Sequence, residues 1–383
     1  MAIPDTRPVR AFLEERHVTI ASEVGALARE IASRPEPQDD DAARIEARAL
    51  LAQIGAAGWF DPIRRQDWRG CCLAREALAA ASPLADAIFA LQGLGTLPIL
   101  LSENGPVRDR WVDAAIAGRA MAAFAMTEPE AGSDVAAIGT TARREGDSYV
   151  LNGTKTYISN AGIADFYTVF ASTDPTAGGK GISCFVVPAD TAGLRFVRPQ
   201  ILSAPHPLGE IAFEICRVPA ANRLGEEGRG YALGLRTLDR MRATVGAAAC
   251  GMAARALAEA CDHARVRRQF GKPLAEFQLV QEKLARMATD LTAARLLVYR
   301  AAWAADNGAS RVTLEAAMAK AFATEAAQRI VDDAVQVLGG AGVMASHPVD
   351  RLYRAVRALR IYEGTTEIQH LVIAGQLMQD TGA

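Results

Sequence analysis

Arg143-Arg144-Glu145-Gly146-Asp147-Ser148-Tyr149-Val150-Leu151-Asn152-Gly153 is where this chain changes character. It opens a stretch poor in alanine. Of 77 Ala in 383 residues, only 11 fall between Arg143 and Arg242. Alanine is the best helix former, so the chain reads as helix-rich, then helix-poor, then helix-rich. Runs at 148–151, 166–171, 182–187 and 211–215 are short, rich in β-branched or aromatic residues, and bounded by Gly, Pro, Asn and Asp, as strands are. Gly146-Asp147 and Asn152-Gly153 read as tight turns between strands.

Outward from that stretch, helical periodicity runs over 12–31, 42–57, 69–80, 83–101 and 107–117 on one side. On the other it runs over 228–265, 273–307 and 313–338, with a short helix at 348–358 and a terminal one from Thr365. Asp39 to Asp41 make an acidic helix start, and Pro273 reads as a first-turn proline. The chain is therefore α, then β, then an α bundle. Strands and helices do not alternate, which argues against a doubly wound α/β fold.

Composition excludes several function classes. The 42 basic and 44 acidic residues give a net charge of −2, so no field exists to hold nucleic acid or an anionic membrane. No uncharged apolar run approaches the roughly 18 residues that span a bilayer. Residues 1–10 resemble neither a signal nor a transit peptide. The six cysteines form no CxxC pair, and free buried thiols in a reducing, cytoplasmic setting are expected. No HExxH, P-loop or GxSxG occurs, and the five histidines form no ligand-spaced cluster, so no metal site is expected.

Six motifs carry candidate chemistry, each with a plainer alternative. Ala125-Met126-Thr127-Glu128-Pro129-Glu130-Ala131-Gly132-Ser133-Asp134 leaves an apolar strand for a loop where Gly132 admits a ligand and Thr127 and Ser133 offer hydroxyls; it is also an ordinary capped turn. Tyr157, near Ser159, can stack on a flat cofactor or face a core. The run 265–273, with Arg267 and Phe270, is an anion clamp or a helix end suited to the dipole. Gln336 to Gly342 is a glycine-rich helix cap and not a dinucleotide fingerprint, since no strand precedes it. Arg351, Arg354, Arg357 and Arg360 form a solvated or subunit-facing stripe. Glu363, before Gly364 and a helix start, is a general base on a hinged turn or a charge complementing the helix terminus.

Singly these are weak; in order they are specific. AMTEPEAGSD, NGTKTYISNAG, GISCFVVP, RRQFGKPLAEFQ, QVLGGAGV and IYEGTTEIQ together closely resemble the acyl-CoA dehydrogenase family over residues 10 to 380. The resemblance implies an α+β, mainly α fold: a helical domain over 1–118, a β-barrel-like or β-sandwich domain over 119–225, and a four-helix bundle over 226–383. It implies FAD between the β domain and the bundle, partly held by a second subunit of a homotetramer. Met126, Thr127, Gly132 and Ser133 would line the flavin and the thioester end of the substrate, with Tyr157 and Ser159 across the ring. Arg267, Phe270 and Gln278, with Gln336, Gly339 and Gly340, would hold the pyrophosphate and adenosine half. Thr365 and Glu367 would also touch the cofactor. Asp239, Arg242 and Arg311 would contact CoA, and Tyr362 and Gly364 the substrate.

By the same resemblance, Glu363 takes the α-proton while the β-hydrogen leaves as hydride, giving a trans-2-enoyl-CoA, and an electron-transfer flavoprotein collects the electrons. The alternative base position of the family is Met241 here, which cannot accept a proton. An oxidase or desulfinase-like reaction is the enzymatic alternative; a non-catalytic flavoprotein is the other. The segment Ser203-Ala204-Pro205-His206-Pro207-Leu208-Gly209 departs from the family's pattern, as does Ala355, and Phe124 replaces a frequent Tyr. The small-residue run 245–251 is read as either close helix packing or a roomy acyl pocket.

Overall fold

The computed structural model describes residues 4–309 and 311–380. The first helices are α1 (Glu15–Ala32), α2 (Asp40–Ala56), α3 (Asp61–Arg65), α4 (Trp68–Ala81), α5 (Pro83–Ser102) and α6 (Gly105–Ile116). Next come β1 (Ala122–Ala125), β2 (Thr141–Glu145), β3 (Ser148–Ser159), β4 (Phe166–Ser172), β5 (Ile182–Pro188), β6 (Leu194–Pro199), β7 (Leu208–Pro219) and β8 (Arg223–Leu224). The last part holds α7 (Gly230–Val266), the hairpin β9 (Arg268–Gln269) and β10 (Lys272–Pro273), α8 (Gln278–Asp306), α9 (Thr313–Leu338), α10 (Pro348–Leu359) and α11 (Thr366–Asp380). The chain divides into two compact units. A β unit comprises Pro37–Arg65 and Ala87–Met241, and a helical unit comprises Met1–Glu36, Gln66–Asp86 and Arg242–Ala383.

In the β unit the strand order is β6-β7-β3-β2-β4-β5-β8, with β1 paired to β4 in parallel. The path is open, so this is a sheet and not a closed barrel. Strands β4 and β5 are buried along their whole length, as expected of strands covered on both faces. Leu151, Val169, Phe185, Ile211 and Phe213 anchor its core. Asn152-Gly153 is not a turn. It lies inside the 12-residue β3, at a shift of register against β7. Gly153 has φ +149°, and a Cβ there would lie 2.5 Å from Thr140 Oγ1, so the glycine serves a bulge.

In the helical unit, close approach explains the small residues of α7. A Cβ on Gly251 would lie 2.1 Å from the Glu76 carbonyl oxygen, and one on Gly246 would lie 2.7 Å from Val298 Cγ2. The run 245–251 therefore serves helix packing. The unit also buries charge. Arg75 is 0% exposed and grips Asp86 at 2.7 and 2.9 Å, while Arg295 and Tyr299 hold Glu76 at 2.8 and 2.9 Å. His17, Asp67 and Asp306 gather their ligand atoms within 4.8 Å of one another. Their carboxylates are occupied: Asp306 accepts from the Trp68 and Arg69 amides at 2.8 and 3.1 Å, and Asp67 accepts from the Gly70 amide at 3.0 Å. In the arginine stripe, Arg360 pairs with Glu325 at 2.7 Å and Arg354 with Asp350.

Two local expectations change. Pro273 pairs with Arg268 in the hairpin, so α8 starts at Gln278. Helix α5 is long and apolar enough to cross a membrane by length and composition, and 78% of its apolar window is buried within the protein.

Candidate active site

The chain between α10 and α11 makes a strained turn. Glu363 has φ +55° and Gly364 has φ +91°. Left-handed backbone costs a non-glycine residue roughly 1–2 kcal/mol, so the surroundings must hold it. Gln369 and Arg242 donate to the Glu363 carbonyl at 3.3 and 3.4 Å. Lys320 and Gln369 donate to the Gly364 carbonyl at 2.6 and 3.0 Å. Thr365 caps α11 through the Ile368 amide at 3.3 Å, and Glu367 is exposed beside it.

The Glu363 side chain is the unusual part. Its Oε2 is buried and has no hydrogen-bond partner among the described residues. Burial pushes its carboxyl above the ordinary range, against the pull of Arg75, Lys320 and Arg242. Burial likewise pushes the Lys320 ammonium down to about 8, although Glu363 favours its charge. A carboxyl raised by a dry site, with one oxygen left open, can accept a proton from a bound molecule.

In the β unit, Met126 is buried, whereas Gly132 and Ser133 are exposed and Thr127 is half-buried. Lys155 donates to Glu128 at 2.6 Å and to the Met126 carbonyl at 3.0 Å. Glu128 also accepts the Gly139 and Thr140 amides at 2.6 and 3.0 Å. Burial alone would raise the Glu128 carboxyl, but the Lys155 charge and these donors hold it below its ordinary range. The Thr156 amide donates to the Thr127 carbonyl at 3.0 Å, which ties the loop to β3. Beside it Tyr157 stands 63% exposed at φ +55°. Gln200 braces that strained residue, accepting from its amide at 2.7 Å and donating to Thr156 Oγ1 at 2.8 Å. His206 meets Ser159 Oγ at 2.7 Å, and burial pushes its imidazole down to about 4. Asp239 and Met241 lie on the part of α7 belonging to this unit; Met241 is fully buried, and its Cε lies 2.7 Å from the Cβ position of Gly93.

A third group lies on the surface of the helical unit. Arg267 ends α7, and Phe270, at φ +49° and 93% exposed, tips the hairpin. Gln278 opens α8, and Gln336, Gly339 and Gly340 end α9, all exposed. No hydrogen bond or ion pair joins the Arg267 group to the Gln336 group among the described residues. Arg311 is exposed between α8 and α9.

The structure thus gathers Glu363, Gly364 and Arg242 in one place, and Thr127, Tyr157 and Ser159 in another. Among the described residues seven non-glycine residues have positive φ, and three of them (Tyr157, Phe270, Glu363) were expected at the site from sequence. Missed were Glu128, Lys155, Gln200, His206, Arg75 and Lys320. Glu128 and Lys155 lay inside the quoted motifs AMTEPEAGSD and NGTKTYISNAG, and His206 in the segment that departs from the family pattern; Arg75, Gln200 and Lys320 carried no signal.

Comparison with known proteins agrees with this layout. Residues 123–216 match the acyl-CoA dehydrogenase middle domain, and residues 228–378 match the acyl-CoA dehydrogenase C-terminal domain. A probable acyl-CoA dehydrogenase of Mycobacterium tuberculosis is 37% identical over 377 residues, covering 96% of each chain. A 3-(aryl)acrylate reductase of Clostridium sporogenes is 44% identical over 288 residues, covering 75% of this chain and 76% of its own. The structure of butyryl-CoA dehydrogenase from Megasphaera elsdenii superposes with a TM-score of 0.90 at 31% identity, covering 96% of this chain and 99% of its own. With relatives matched over nearly its whole length and both domain models accounted for, the chain belongs to the acyl-CoA dehydrogenase family.

Proposed function

We propose that this chain is an FAD-dependent dehydrogenase of acyl-CoA thioesters, with Glu363 as the base. The observation that carries the reading is the buried, unpartnered Oε2 of Glu363. Burying an open acceptor costs roughly 1–3 kcal/mol; other side chains, Asp40 and Gln369 among them, also leave one, but among the described residues Glu363 alone joins it to a carboxyl pushed upward. The exposed Tyr157 ring and the exposed arginine at the end of α7 fit a flat, phosphate-bearing cofactor.

In this reading Met126, Thr127, Gly132 and Ser133, with Tyr157 and Ser159, hold the ring system. Arg267, Phe270 and Gln278 act with Gln336, Gly339 and Gly340 of a neighbouring subunit on the pyrophosphate and adenosine half, and Thr365 and Glu367 complete the contact. FAD would supply the acceptor for the β-hydrogen and its electron pair, a role no side chain can fill. The residues of the chain do the rest. Glu363 takes the α-proton, and its backbone N–H stabilises the thioester oxygen as charge grows there. The bonds from Arg242, Gln369 and Lys320 hold the turn so that the carboxylate is aimed before the substrate arrives. Asp239, Arg242 and Arg311 hold CoA, and Tyr362 and Gly364 border the acyl group. The carboxylate ends protonated, and the product is the trans-2-enoyl-CoA. An electron-transfer flavoprotein then takes the electrons. Exposure of both the Arg267 and the Gln336 groups supports a homotetramer built as a dimer of dimers.

The test is anaerobic flavin bleaching by a panel of acyl-CoA thioesters, begun with butyryl-CoA and repeated in air. Bleaching that needs an added acceptor for turnover is expected; turnover with oxygen alone would make the chain an oxidase, and a colourless purified chain would end every flavin reading. The resemblance to a 3-(aryl)acrylate reductase favours one other reading, the same proton and hydride transfers run toward reduction. Oxidation of reduced enzyme by an arylacrylyl thioester, faster than any bleaching, would select it.

A further inference from the structure

Charged groups from four elements face Glu363 within the helical unit: Arg75 of α4, Asp86 of α5, Arg242 of α7 and Lys320 of α9. Their charges are not equally available. Arg75 pulls hardest on the Glu363 carboxyl, but it is already held at both forks by Asp86, at 2.7 and 2.9 Å, and donates to Thr244 at 3.0 Å, so its charge has a contact partner of its own. Arg242 points its Nε at the Glu363 carbonyl, 3.4 Å away. Lys320 differs. It is 0% exposed, its ammonium bonds the Gly364 carbonyl at 2.6 Å, and no carboxylate lies within ion-pair distance of it among the described residues. Glu325, which also influences it, is occupied by Arg360 and Thr366 at 2.7 Å each, and Glu367 is exposed. A dry ammonium without a contact counterion is costly. What that charge can act on is the open carboxyl of Glu363.

We propose that Lys320 is a positioning residue of this turn, pinning Gly364 through its carbonyl and keeping the Glu363 carboxyl ionised, and so able to accept a proton, in the free enzyme. This rests on Glu363 being the base. The two groups hold each other charged where burial pulls both toward neutrality: the Lys320 ammonium is pushed down to about 8 and the Glu363 carboxyl upward. Their coupling is reciprocal.

Two measurements test it. The first is the pH dependence of flavin reduction by butyryl-CoA in the holoenzyme. Lys320→Gln keeps a donor but removes the charge; its acid limb should move up by about one pH unit or more. Lys320→Arg should keep the wild-type limb. A Gln variant slowed equally at every pH, with its limb in place, would reduce Lys320 to a structural strut. The second needs no turnover and no Lys320 variant. The chain has only five lysines (Lys155, Lys180, Lys272, Lys283 and Lys320), so 13Cε-lysine NMR can follow each. Glu363→Gln should lower the titration midpoint of Lys320, and an unchanged midpoint overturns the proposal. Absence of bleaching by any thioester would refute the proposed reaction alone, and the lysine titration would still read the coupling.

Discussion

Glu128 and Glu363 are both glutamates with buried carboxylate oxygens, yet they are opposites. Glu128 accepts from Lys155 and from two backbone amides, and its carboxyl is held below the ordinary range. Glu363 leaves Oε2 open in a dry site, and its carboxyl is pushed up. The first is a tie between a loop and a strand, and the second is poised to react. Burial does not distinguish them, since the Glu128 side chain and the Oε2 of Glu363 are both shut away from solvent; what each oxygen is bonded to does.

The contrast breaks most readily at Glu363. Glu363→Gln keeps shape and removes basicity, so flavin reduction by butyryl-CoA should slow by roughly 10²–10⁴-fold while FAD and thioester still bind. Stopped-flow absorbance reads this. At Glu128 the same change should act on stability instead. Glu128→Gln leaves the Lys155 ammonium buried without its counter-charge, which costs about 3–5 kcal/mol in denaturant unfolding. Adding Lys155→Met should recover part of that loss. If Glu128→Gln instead left stability intact and abolished reduction, the roles would be reversed.

A smaller effect tests the packing of α7 against α8 and α9. Gly246→Ala should cost about 1–3 kcal/mol, because its Cβ would sit 2.7 Å from Val298 Cγ2, and Val298→Ala should relieve it. Substrate preference should not change. Loss of longer acyl chains at unchanged stability would restore the pocket reading of this helix face.

The smallest effect sharpens the contrast through pH. A carboxyl lowered in the fold, such as Glu128, contributes stability above its unfolded pKa that is lost as pH falls through the folded value. A raised one, such as Glu363, acts in reverse: its contribution is full at low pH and is lost as pH rises through the folded value. Glu363→Gln should therefore raise Tm over wild type in alkaline buffer and not in acid. An equal shift at both ends would contradict the raised carboxyl.

How much of this was legible in the sequence depended on range. Strands β4 and β5 were readable because both runs are rich in β-branched and aromatic residues. Asn152-Gly153 was misread because its glycine answers to Thr140, a neighbour brought close only by the fold. Glu363 was readable as a candidate because it precedes a glycine at a helix start, within a motif of family-specific order. Lys155 and Glu128 lie 27 residues apart, and His206 and Ser159 lie 47 apart, so no local pattern could pair them. Lys320 is one polar residue on an alanine-rich helix, and only the distance to Gly364 gives it a role.

The central claim, that Glu363 removes the α-proton, is tested most directly by exchange of that proton itself. Butyryl-CoA is held with the anaerobic holoenzyme in D₂O, and loss of the α-hydrogen signal is followed by proton NMR. Wild type should exchange the α-position faster than buffer alone, and Glu363→Gln, with FAD still bound, should exchange no faster than buffer. Exchange by Glu363→Gln at the wild-type rate would place the base elsewhere and contradict the account.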